Sequence, residues 1–138
     1  MSRRGLSRAW VSLCLALACS SFARAQDKVV PSGDRVLETR DASGRVRERN
    51  LIRADGSRQR TSTQYWALGN LPRRTVGESF DQTGRATART VEEFDSRGRV
   101  LARRSVSIGA GGKESGTQAR YGYDSSGHRS ETITELGR

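Results

Sequence analysis

An all-β fold, an antiparallel meander of about eight strands, is predicted by three features of the 138-residue sequence. A pattern D-x-x-G recurs at Asp41 to Gly44, Asp81 to Gly84, Asp95 to Gly98 and Asp124 to Gly127, each time followed by arginine or histidine. Further turn signals continue the series at near-even spacing. Between turns, apolar and polar residues alternate with the period of two that a half-buried strand requires.

Aspartate at the first position of a type I turn caps it with its carboxylate. Glycine at the fourth takes the positive φ of a G1 bulge and returns the chain as the next strand. Each motif therefore predicts a hairpin. "ADGS" at 54 to 57, "ALGN" at 67 to 70 and "GAGGK" at 109 to 113 supply three more turns. Turn starts at 41, 55, 68, 81, 95, 110 and 124 lie 13 to 15 residues apart, which leaves eight strands of eight or nine residues.

The chain opens with basic "MSRRGLSR", apolar "AWVSLCLALACSSF" and "ARA" ending at Ala25, the layout of an export signal over 1 to 25. The apolar run is shorter than the ~20 residues of a spanning helix. Cleavage after Ala25 removes both cysteines, Cys14 and Cys19, and leaves no disulfide. A lipoprotein acylated at Cys19 is the alternative, and the only one that brings the chain to a membrane. The expected location is periplasmic or extracellular, with the outer membrane as the lipoprotein alternative. Residues 26 to 33 read as an N-terminal linker and 34 to 138 as the β domain.

Removal of 1 to 25 takes four of the 25 basic residues and no acid, leaving 21 against 15 and a net charge of +6. Nineteen of those 21 are arginines, which favour forked contacts with carboxylate, phosphate or sulfate. Large apolar and aromatic residues number only 23 of 113, near the edge of what a folded chain needs, so the patterning has to be economical.

Regular pairing from the turns at 81 and 95 sets Phe94 against Val100, Ala88 against Val106, Ala86 against Ile108, Phe80 against Ala86 and Val76 against Thr90, all on one face. The other face then carries Arg85, Arg89, Glu93, Arg99 and Arg103, with Arg45, Arg47, Arg49 and Arg53 aligned on an earlier strand. Two readings stay open: a solvated face of cross-strand ion pairs, or a basic platform for an anionic polymer. No aromatic row suited to base stacking accompanies the arginines, which argues against nucleic acid. A closed up-and-down barrel needs interior side chains from every strand, and "RQRTSTQ" supplies mainly Thr, Ser and Gln. An open or partly rolled sheet is therefore expected ahead of a barrel.

"YGYDSSGH" at 121 to 128 resembles the YD repeat of bacterial Rhs-type proteins, Y-x-Y-D-x-x-G-R, and "EEFDSRGRVL" and "ESFDQTGRA" are similar units with phenylalanine before the aspartate. The resemblance covers 78 to 136 well and 34 to 72 more thinly. It implies β-hairpins aligned into curved sheets, with Tyr123, Phe94 and Phe80 packing before the turn, Asp124, Asp95 and Asp81 capping it, and Gly127, Gly98 and Gly84 at positive φ. It also implies carbohydrate binding or an accessory role in an Rhs-type toxin system, docking on a larger β-repeat protein.

Catalytic chemistry finds little support. His128 is the single histidine and stands where the repeat has arginine. Glu92 and Glu93 are adjacent, so a strand sends them to opposite faces, unlike a glycosidase pair. "GAGGKESG" lacks the Ser or Thr that follows the lysine of a phosphate loop. No metal or cofactor is expected. The function expected is a non-enzymatic binding or structural module at the cell envelope that contacts an anionic polysaccharide or another envelope protein. Its candidate binding residues are Arg45, Arg47, Arg49 and Arg53, with Tyr65, Trp66, Tyr121 and Tyr123 as stacking groups or as the sheet's own packing.

Overall fold

The computed structural model describes residues 25–29 and 33–137. They form one antiparallel sheet in which nine strands follow each other in sequence order. These are β1 (Ala25–Val29), β2 (Arg35–Arg40), β3 (Val46–Ile52), β4 (Arg58–Tyr65), β5 (Pro72–Phe80), β6 (Ala86–Phe94), β7 (Val100–Ile108), β8 (Glu114–Tyr123) and β9 (Arg129–Leu136). A 3-10 turn, Ala110–Gly112, joins β7 to β8. The first and last strands do not pair, so the sheet is open rather than a barrel. The expected export signal and both cysteines lie outside the described residues except for Ala25. Residues 26 to 29, expected as linker, belong to β1 and pair with β2, which raises the strand number from about eight to nine.

Every hairpin after β2 turns on a glycine at positive φ. In the four D-x-x-G hairpins the aspartate N–H donates to the carbonyl of the residue after the glycine, as in Asp41 to Arg45 (2.9 Å) and Asp95 to Arg99 (2.9 Å). Three turns begin earlier than the sequence suggested, at Arg53, Trp66 and Gly109 rather than 55, 68 and 110. The fixed element is the glycine at Gly56, Gly69 and Gly112, each near +80°. Other residues replace aspartate at the first position.

The expected register fails one residue into several strands. Phe94 does face Val100 and Phe80 does face Ala86, but Ala88 pairs with Ser107, Val106 with Arg89, and Val76 with Val91. The cause is a second bulge beside the turn, which leaves Arg47, Arg73, Thr87 and Leu101 without an opposite number. One extra residue moves the rest of the strand to the other face. The expected single apolar face is therefore divided. Val76, Val91 and Val106 share one face with Glu78, Arg89 and Arg104, while Val36, Leu51, Ala88 and Ala119 share the other with a row of serines and threonines.

The described residues form no second layer over either face. Val36, Val106 and Ala119 are its buried apolar residues, at 8%, 4% and 8% exposure. Cross-strand ion pairs cover the rest, among them Arg60 with Glu48 (2.8 Å), Arg103 with Glu92 (2.6 Å) and Arg104 with Glu114 (2.6 Å). Each such exposed pair contributes about 0–1 kcal/mol, so they complement the backbone ladder rather than replace a core.

Candidate functional site

Alternate hairpins put their turns at the same end of the sheet. The turns 41–45, 66–71, 95–99 and 124–128 share one end, and 53–57, 81–85 and 109–113 share the other. The first end holds most of the aromatic residues among those described, and its construction starts from the turn aspartates. Asp41 Oδ1 accepts the N–H groups of Ser43 (2.9 Å) and Arg45 (3.0 Å), while Oδ2 accepts Arg45 Nε (2.8 Å). Asp95 holds Arg97 and Arg99 in the same way, with Arg99 Nε at 2.7 Å.

These bonds lower the aspartate pKa values. Desolvation pushes Asp41 up, but the Arg45 and Ser43 donors outweigh it and hold the carboxyl below its ordinary value. At Asp95 the Arg99 N–H is the largest influence, at Asp81 the Thr83 hydroxyl and at Asp124 the His128 N–H, all downward.

The arginine that follows the glycine then serves as a clamp. The Arg45 guanidinium lies 4.8 Å from the Tyr65 ring centroid and donates from Nη1 to the Gly69 carbonyl at 2.8 Å. The Tyr65 hydroxyl returns a bond to the Val46 carbonyl at 2.8 Å. Two turns further along this end, Arg99 lies 4.4 Å from the Tyr123 ring, and the Tyr123 hydroxyl donates to the Val100 carbonyl at 2.9 Å. Between the two clamps, Trp66 Nε1 donates to the Asp95 carbonyl at 3.1 Å, with Arg73 above its ring. Arg129 stacks on Tyr121 at 4.9 Å.

The expected binding residues therefore divide. Tyr65, Trp66, Tyr121 and Tyr123 come together at this end, each half-buried under an arginine. Arg45, Arg47, Arg49 and Arg53 do not form a free row. Arg45 is held in the clamp, Arg49 lies 3.8 Å from Glu38, and Arg53 lends its charge to Asp55. Arg47, on the bulge, is exposed and has no acidic partner among the described residues. The second expected arginine row is also broken up. Arg89 pairs with Glu78 (3.0 Å), Arg103 pairs with Glu92 on the opposite face, Arg99 is clamped, and Arg85 reaches the Gly109 carbonyl (2.6 Å).

Sequence reasoning missed two features. Arg97 and Arg120 are exposed without an acidic partner among the described residues. A shallow depression of about 790 Å³ opens on the face of Val76 and Val91, rimmed by Arg74, Arg104 and Arg120. Its rim mixes Glu78, Glu93 and Glu114 with a larger number of arginines. Nothing in the sequence marks it, because only the bulges bring these side chains onto one face.

Catalytic groupings are sparse. His128 Nδ1 sits 3.0 Å from Asp124 Oδ2, with both side chains well exposed, and the pair closes its own turn. Glu92 and Glu93 do point to opposite faces, toward Arg103 and Arg74. Among the described residues no group of three or more His, Cys, Asp or Glu could hold a metal ion, and no helix is long and apolar enough to cross a membrane. No protein-family model matches the chain, nor does any curated protein or solved structure.

Proposed function

We propose that the chain is an exported, non-enzymatic β-repeat module that works by surface contact with an anionic polysaccharide at the cell envelope. The observation that carries this reading is the set of guanidinium groups without an acidic partner among the described residues: Arg47, Arg97 and Arg120 are exposed, and Arg73 rests on an aromatic ring that leaves its charge in place. An arginine stacked on a ring is held flat, with its N–H edges available to fork onto sulfate, phosphate or carboxylate. The likeness of "YGYDSSGH" to a YD repeat supports a repeat module over a catalyst, since its motif residues are consumed by turns.

The reading is tested by binding to immobilised heparin-type glycan and to lipopolysaccharide across a salt series. Affinity should fall steeply with salt. Replacing Arg47, Arg97 and Arg120 by alanine should weaken it on the order of tenfold, with the far-UV circular dichroism unchanged. A chain that ignores both surfaces, or a triple variant that binds as well as the parent, removes the proposal.

A further inference from the structure

The last strand of the sheet is an unguarded edge. β9 pairs with β8 from Gly116 with Leu136 through Tyr123 with Arg129, without a register shift. No bulge twists it away, no proline interrupts it, and no described strand pairs with its outer side. Its residues 129 to 135 are all exposed, and Ile133, flanked by Thr132 and Thr134, is 62% exposed. Such a segment presents unpaired N–H and C=O groups on a backbone already extended for pairing.

We propose that β9 pairs antiparallel with β9 of a second copy, extending the two sheets into one about a two-fold axis at Thr132. The charge pattern of the strand selects this occupant and register. Pairing that keeps like faces together and spans nearly the whole of Arg129–Leu136 is centred on Thr132 or on Ile133. Centring on Ile133 sets Glu131 opposite the second copy's Glu135, twice over by symmetry. Centring on Thr132 sets Arg129 opposite Glu135 twice, Ile133 opposite Glu131, and Thr134 opposite Ser130. Opposite charges directly across a ladder favour the pairing, and like charges oppose it. Arg129 is already held on this face by stacking on Tyr121. Glu135 also has an interaction within its own chain, so the second copy would add a partner to a placed carboxylate. A two-fold contact of one strand with itself is self-complementary and closes at two copies.

The test is light scattering on the purified full-length chain over a concentration series, with charge-reversed variants. The expected result is a species of twice 15.2 kDa. Either R129E or E135R should weaken association on the order of tenfold, and R129E/E135R should restore it, because reversal of both ends recreates the pair. If a reversal disturbs the fold by circular dichroism, T132C in a C14S/C19S background decides the matter. Cysteine at the two-fold position should cross-link chains on mild oxidation far more readily than cysteine at 133. A chain that stays monomeric at every concentration overturns the proposal. So does association indifferent to the reversals, cross-linking equal at both positions, or a monomer that pairs through β9 only with a different β-repeat protein.

Discussion

The two turn-bearing ends of the sheet use one kind of hairpin but are held together differently. At the end of turns 41–45, 66–71 and 95–99, aromatic rings sit beneath arginines, the tyrosine hydroxyls donate back to carbonyls of the preceding hairpin, and Trp66 donates forward to Asp95. At the other end, neighbouring turns meet through smaller contacts: the Ala54 N–H donates to Asp34 (3.0 Å), Arg58 lies over Phe80, and Arg85 reaches Gly109. A sheet without an opposing layer has nowhere to bury a ring on both sides. It half-buries its rings along an end instead, where arginines at or just past the turns provide the cover. Ring-to-backbone contacts between hairpins are therefore gathered at one end.

Three experiments break or sharpen that contrast. The largest effect is expected from Trp66→Ala, which removes the ring that joins the turn at 66–71 to Asp95. It should cost about 2–3 kcal/mol in urea unfolding, against about 1–2 kcal/mol for Phe80→Ala at the other end. Equal losses would mean that the two ends are held alike. Next comes Tyr123→Phe, which deletes only the bond to Val100 and should cost about 1 kcal/mol. Tyr121→Phe, whose hydroxyl has no acceptor among the described residues, should be near neutral and calibrates the measurement.

The smallest and broadest effect is acid sensitivity. The turn donors hold Asp41, Asp81, Asp95 and Asp124 below the ordinary aspartate value in the folded chain. As pH falls through that ordinary value, the unfolded chain takes up protons first, so the turns' contribution is complete above it and declines below it. Melting temperature followed from neutral pH to pH 2 should hold until the carboxylate range and then drop. Asp95→Asn should start lower and show a shallower drop.

The turns were legible in the sequence because their chemistry is local: the aspartate caps its own turn and the glycine supplies its own φ. Eight of the nine strands and the pairing at Phe94 and Phe80 follow from that, while β1, without a turn motif before it, reads as linker, and the open sheet was legible only from the polar run "RQRTSTQ". The faces were not legible beyond those first pairs. A bulge carries no residue signature, yet the one at Leu101 decides whether Ala88 meets Val106 or Ser107, and the one at Thr87 whether Val76 meets Thr90 or Val91. The same limit applied to the candidate site. Tyr65, Trp66 and Tyr123 could be singled out by type, but the arginines that cover them depend on which turns share an end. Trp66 in particular occupies the position that aspartate holds elsewhere, which shifted the expected turn.

The serial order of the strands has a mechanical consequence. Because each strand of the meander is bonded only to its sequence neighbours, load applied to the two ends of the chain reaches one hairpin at a time. The sheet should extend under force as a succession of small unzipping events, each releasing one strand and its turn. The stapled end should resist longest, so the molecule behaves less like a globule that ruptures than like a strap that pays out.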